Sequence, residues 1–212
     1  MRMRKKKHLS ERLENCSDII ISDIFKYEGD IKSTFDSANP LHMEIGCGKG
    51  RFILENAKRH PEINYLAVEK NLNVLVIAAE KIKNEGIKNV KFIPGDANLL
   101  RDYETNSKCE VIYINFCDPW HKNSYRKKRL THEKHLCLWE KLLVPNGEIH
   151  FKTDNKNLFE FSLNSFSDYD MKLKEITFDL HNSDFVGNIM TEYEQHFSEQ
   201  NQPIYRCVAI YR

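Results

Sequence analysis

Four acidic residues each close an apolar run: Glu44 in "LHMEIG", Glu69 in "NYLAVE", Asp96 in "VKFIPGD" and Asp118 in "CEVIYINFCD". Each run reads as a buried strand, so each acid falls at a strand's carboxyl end, the rim where open α/β sheets bind ligands. One such acid is ordinary surface, whereas four in order form a constellation. Directly after the first run, "MEIGCGKG" supplies Gly46, Gly48 and Gly50. Glycines between a strand and a helix permit a tight turn and a close approach of backbone to ligand. The spacing is G-x-G-x-G, not the G-x-G-x-x-G of dinucleotide dehydrogenases, and Glu44 stands where a phosphate-binding loop would avoid negative charge. The ligand expected is therefore one with a cationic part and no pyrophosphate. Glu69, 23 residues after Gly46, is placed to accept hydrogen bonds from ribose hydroxyls, and Asp96 to meet an adenine amino group. S-adenosylmethionine fits this set, because its sulfonium tolerates nearby carboxylates and is itself the reactive group.

Asp118 opens a second question. From residue 122 to 129 the chain "KNSYRKKR" carries five basic side chains and no acidic one. Residues 1–12 hold six basic and one acidic side chain, yet the net charge of the whole chain is only +1. Positive charge is thus concentrated in two segments, and local concentration is what a polyanion responds to. Asp118 is expected to face one ligand while the basic run holds another.

Length and composition bound these readings. A chain of 212 residues with 41% hydrophobic and 30% charged content is an ordinary globular protein with a sizeable core. No apolar run approaches the roughly 18 residues of a membrane helix, and no cleavage site follows the basic N-terminus, so a cytoplasmic protein is expected. Six cysteines never form a C-x-x-C pair, which points to reduced thiols. His132, His135 and Cys137 lie close together in a stretch that reads as an ordinary helix, and no metal is expected there or elsewhere.

The elements that position these residues alternate. Strands are predicted at 41–45, 64–69, 90–96, 109–116 and 148–154, with helices at 49–60, 71–86, 131–147 and 157–166 between or after them. In the second helix Leu72, Leu75, Val76, Ala79 and Ile82 share one face, and Gly86 caps its end. Residues 171–180 and 203–212 alternate like strands of an antiparallel pair that finishes the sheet. The predicted fold is α/β, a doubly wound, mostly parallel seven-stranded sheet with an antiparallel C-terminal edge. The first forty or so residues read as a basic arm with one short helix at 18–27.

With these residues in hand, the sequence resembles the bacterial tRNA (guanine-N7)-methyltransferases, which are class I methyltransferases of Rossmann-like fold. The resemblance runs from "MRMRKKKH" through "MEIGCGKG", "AVEKN", "GDA" and "INFCDPWHK" to "HFKTDN" and "TEYEQHF". "DPW" followed by Lys and a basic run, with "TEYE" near the C-terminus, is its most specific part. It implies cofactor contacts at Glu44, Glu69, Asp96 and Asp118 beside the glycines, with Asp118 also catalytic. It implies substrate contacts at Lys122, Asp154, Thr191, Glu192, Tyr193 and Glu194, the last four read as a loop over the same rim. RNA contact falls to Ser124, Tyr125, Arg126, Lys127, Lys128 and Arg129. The sequence departs from the family at Cys117, where proline is usual, and in the irregular spacing of "HKNSYRKKR". Residues 1–36 then form the arm and 37–212 the methyltransferase domain, acting on guanosine 46 of the tRNA variable loop. No obligatory protein partner is expected, and the protein is a monomer or homodimer.

Guanine N7 carries a lone pair and no proton, so its methylation needs no general base. Asp118 is expected to orient the base through its donor edge and to offset the charge developing on the ring. Two rivals remain at this point. "DPW" is similar to the D-P-P-Y type motif of amino-group methyltransferases, but His121 is not the second aromatic they need. A non-catalytic RNA-binding module on a vestigial cofactor fold would have lost some rim acids, and all four are present. A dehydrogenase is further off, because the third glycine is misplaced.

Overall fold

A strand that is apolar on both faces is stable only between neighbours, and the apolar runs of this chain are buried that way in the computed structural model, which describes residues 6–27 and 29–212. Seven strands, β1 (Leu41–Ile45), β2 (Asn64–Glu69), β3 (Val90–Pro94), β4 (Cys109–Asn115), β5 (Leu143–Thr153), β6 (Lys172–Thr177) and β7 (Tyr205–Ile210), make one sheet. Its order is β3-β2-β1-β4-β5-β7-β6. The helices are α1 (Leu9–Glu14), α2 (Arg51–Arg59), α3 (Leu72–Asn84), α4 (Glu133–Leu142), α5 (Lys156–Asp168) and α6 (Glu192–Ser198). This is the α/β sheet expected, and the chain divides into two compact units, one up to Ser107 and one from Lys108 onward. No helix among the described residues is long and apolar enough to cross a membrane.

In the first unit β1, β2 and β3 run parallel, with Ile45 opposite Val68 and Glu69 opposite Pro94. All residues of β1 and β2 are buried. Helix α3 buries Leu75, Val76, Ala78, Ala79 and Ile82, whereas Leu72, expected on that face, is 40% exposed at the helix start. Gly86 caps the helix as predicted, in the left-handed region at φ +67°. Its N–H donates to Lys83 O, and that of Ile87 to Ile82 O, the paired bonds of a Schellman cap.

The N-terminal segment is knitted into the same unit. Ile20 bridges Phe92 of β3, and the Arg12 guanidinium forks onto Glu80 of α3 with both bonds at 2.6 Å. Ile19, Ile21, Ile24, Ile31 and Phe35 are buried. The short helix expected at 18–27 is only a 3-10 turn at Ile24–Tyr27, while Leu9–Glu14 is helical instead. Isoleucines at 19, 20, 21 and 24 favour extended backbone and edge pairing over a helix, which accounts for the difference. Basic residues 2, 4 and 5 of the proposed arm lie outside the described residues.

In the second unit β4 and β5 are parallel, while β7 runs antiparallel to both β5 and β6. β7 is the buried member of the antiparallel pair, and β6 is the exposed one. Helix α4 is shorter than the predicted 131–147. It starts after His132, whose Nδ1 accepts a hydrogen bond from Lys134 N, and ends at Leu142. The chain then enters β5 at once and is interrupted by a bulge, with Leu143 opposite Cys109 but Glu148 opposite Val111. Pro145 cannot extend a helix, and Asn146 at φ +61° turns the chain back into the strand. Trp139 anchors α4 in the core and donates from Nε1 to Leu130 O at 2.9 Å.

Candidate active site

Each unit carries its share of the singled-out residues at the carboxyl ends of its own parallel strands. In the first unit these are Glu44, the three glycines, Glu69 and Asp96. Gly46, Gly48 and Gly50 all have positive φ, at +81°, +57° and +79°. Gly46 and Gly48 have open space where a side chain would stand, so a ligand can approach the loop backbone closely, while their N–H groups are held by Val68 O at 2.8 Å and Glu69 Oε2 at 3.1 Å. Gly50 differs: a Cβ there would come within 2.7 Å of Ala78 Cβ, so this glycine lets the start of α2 approach α3. One residue type thus serves two purposes within five positions.

Glu69 ties the loop to the strand end. Its Oε2 accepts from Gly48 N at 3.1 Å and its Oε1 from Asn71 N at 2.8 Å, and the residue is 9% exposed. A carboxylate has about four lone-pair sites, so two amides still leave acceptor capacity for ligand hydroxyls. Asp96 is exposed, and its Oδ1 caps the 3-10 turn Ala97–Arg101 by accepting from Asn98 N at 2.9 Å. Glu44 is 1% exposed within β1. A glycine loop held by a carboxylate suits a nucleoside bearing a positive charge better than a phosphate.

The second unit places Asp118, exposed, after β4, and Asp154, partly exposed, after β5. The backbone around Asp118 is unusual, since Phe116 and Trp120 both have left-handed φ, at +53° and +45°. Such conformations in bulky residues cost roughly 1–3 kcal/mol each and persist only where surrounding contacts fix them. Cys117, in the position usual for proline, has its thiol pushed up to about 12, first by burial and then by the Asp118 charge. That shift disfavours the thiolate, which is the nucleophilic form.

Lys122 precedes a 3-10 turn, Asn123–Lys128, in which Ser124, Tyr125, Arg126, Lys127 and Lys128 are exposed. Lys128 Nζ lies 4.7 Å from the Trp120 ring centroid and 4.6 Å from that of Tyr125, whose rings meet edge to face. Arg129 breaks from this run: it is 9% exposed and turned inward.

Thr191, Glu192, Tyr193 and Glu194 are not the loop expected. Thr191 caps α6, its Oγ1 accepting from Glu194 N at 2.9 Å, and the other three form the first turn. A Thr followed three residues later by Glu is a helix-start pattern that the sequence reading passed over. Tyr193 is 65% exposed, whereas Glu194 is fully buried. Its Oε2 accepts from Lys152 Nζ at 2.7 Å, and its Oε1 faces Asn188 and His181. Lys152 spends its other donors on Asn188 Oδ1 and Ile189 O. Lys152, Asn188 and His181 were not singled out in the sequence. A lysine inside the apolar strand "EIHFKT" was the available signal, because a buried lysine requires a partner. Among the described residues no group of three or more His, Cys, Asp or Glu could hold a metal.

Comparison with known proteins gives the family. A family model described as "Putative methyltransferase" matches residues 38–207. The "tRNA (guanine-N(7)-)-methyltransferase" of Bacillus velezensis is 47% identical over 212 residues, covering 100% of this chain and 98% of that protein. The protein of that name from Enterococcus faecalis is 44% identical over 209 residues, covering 99% and 98%. Among solved structures, the 16S rRNA methyltransferase KamB aligns with a TM-score of 0.62 at 11% identity, over 84% of this chain and 89% of that one. Precorrin-6y C5,15-methyltransferase from Geobacter metallireducens aligns with a TM-score of 0.57 at 14% identity, over 98% and 94%. These distant structures share the Rossmann-like fold, while the near relatives match in sequence from end to end. The chain belongs to the tRNA (guanine-N7-)-methyltransferase family.

Proposed function

We propose that this protein methylates N7 of a guanine in tRNA, guanosine 46 of the variable loop, in the cytoplasm. The observation that carries the reading is Asp118, exposed at the carboxyl end of β4 and followed directly by a basic turn, in a chain 47% identical along its whole length to a protein of that name. S-adenosylmethionine, when bound, supplies a methyl group already activated on a sulfonium. Gly46 and Gly48 leave it room to approach the loop backbone, Glu69 would accept from its ribose, and Glu44 and Asp96 complete the acidic surround. Gly50 acts through the packing of the loop.

Guanine N7 is an acceptor without a proton, so no side chain has to remove one. Asp118 accepts from the N1 and N2 donor edge of the base and so turns N7 toward the methyl donor. Its negative charge also offsets the positive charge that the purine acquires on methylation, which is greater in the transition state than in the bound substrate. Lys122, Asp154 and the first turn of α6 contact the nucleotide, with Glu194 committed to Lys152 and holding that turn in place. The exposed members of the run from Ser124 to Lys128 neutralise phosphates, a contribution that weakens with salt.

Replacement of Asp118 by Ala is expected to lower kcat about a thousandfold, the scale of losing a preorganised electrostatic contact. Single-turnover methylation of a tRNA transcript, with the modified base mapped by cleavage at the labile glycosidic bond, measures this. A wild-type rate in that variant, or methyl groups on an exocyclic amine, would reject the reading.

A further inference from the structure

Arg129 closes the basic run, yet its side chain is spent inside the protein. Nε donates to Pro119 O at 3.0 Å and Nη2 to Trp120 O at 3.2 Å. The guanidinium carbon lies 4.4 Å from the centroid of the Phe161 ring on α5. The backbone it grips is the left-handed stretch next to Asp118, with Trp120 at φ +45°. The following residues are fastened too, because Thr131 Oγ1 and Ser162 Oγ are 2.8 Å apart and both residues are fully buried. A planar fork on two successive carbonyls fixes the orientation of that turn, which a lysine's single flexible ammonium cannot do.

We infer that Arg129 is a positioning residue for methyl transfer, a clamp that holds the Asp118-Pro119-Trp120 turn in its reactive shape, and not a phosphate ligand. The inference rests on the assignment of Asp118 made above. It divides the basic run by purpose: the exposed cations from residue 126 to 128 meet RNA, while Arg129 acts on Asp118 through the backbone. Phe161 takes part as the ring against which the guanidinium is stacked, and the exposed Arg126 also lies over it, its guanidinium carbon 4.9 Å from the centroid.

The test compares Arg129→Lys, Phe161→Leu and Lys127→Ala in the full chain, each shown to be folded by its thermal melt. Steady-state kcat, KM for a tRNA transcript and the salt dependence of KM are measured for each. The clamp predicts a ten- to hundredfold fall in kcat for Arg129→Lys, with KM and its salt slope within twofold of wild type. Phe161→Leu lowers kcat in the same direction, with KM free to rise because Arg126 shares that ring, and an unchanged kcat there overturns the clamp if Arg129→Lys does not fold. Lys127→Ala provides the contrasting signature of a raised KM and a shallower salt slope. If Arg129→Lys keeps its kcat, whether or not it shows the Lys127→Ala signature, the clamp is overturned. Asp118→Ala separates the two levels: wild-type turnover there removes the assignment beneath, while an inactive Asp118→Ala beside a fully active Arg129→Lys removes the clamp alone.

Discussion

The first unit shapes its candidate residues with backbone, and the second braces its own with side chains. In the first, glycines with positive φ shape a loop, and a carboxylate 21 residues away accepts from one of its amides. In the second, Lys152 and Glu194 meet across 42 residues, and Arg129 grips the turn carrying Asp118 against a ring from another helix. The two designs fail differently. A backbone cradle is vulnerable to added atoms, whereas a buried polar network is vulnerable to the loss of one partner.

The largest effect on stability is therefore expected in the second unit. Lys152→Met leaves the Glu194 carboxylate buried without its cation and should cost about 3–5 kcal/mol in urea unfolding. The double variant Lys152→Met with Glu194→Met should recover most of that, because no buried charge remains. A single-variant loss below about 1 kcal/mol would mean that the pair is not the brace described.

A smaller loss is expected in the first unit, from Gly50→Ala. The left-handed backbone and the 2.7 Å approach to Ala78 Cβ together predict about 1–3 kcal/mol of destabilisation. Gly48→Ala sharpens the contrast, since open space surrounds that position. Its added methyl should raise the KM for the methyl donor at least tenfold with a stability change of only about 1 kcal/mol. Equal stability losses in the two variants would contradict the separate purposes assigned to these glycines.

The smallest effect concerns acid. Glu148, on β5, accepts from His150 Nε2 at 2.7 Å and Lys174 Nζ at 2.6 Å, and these partners hold its carboxyl down to about 2. A depressed carboxylate contributes stability that is present above the usual glutamate value near 4.5 and is lost as pH falls toward 2. Since the group is about a quarter exposed, the contribution is discounted to about 1 kcal/mol. Glu148→Gln should flatten the stability curve between these pH values, and an unchanged curve would show that the pair contributes nothing.

Much of the first unit was legible because its determinants are local. Strand, glycine turn, helix and strand-end acid follow one another, and hydrophobic periodicity locates each of them. The misread places have identifiable causes. Ile20 near the N-terminus bridges β3 where a helix is expected, and Thr191 with Glu194 starts a helix where a loop is expected. Arg129 is chemically indistinguishable in sequence from the cations beside it; its inward turn depends on Phe161, 32 residues further on.

The sequence by itself determined the order of strands and helices, the acids at strand ends, the glycine loop and the placement of positive charge beside Asp118. Each follows from near neighbours and from a periodicity of two or 3.6 residues. Only the tertiary structure decided which charges face solvent and which are buried in pairs. Burial belongs to the packed fold, and a Lys or Glu enters the interior only where a distant chain segment brings its counterpart.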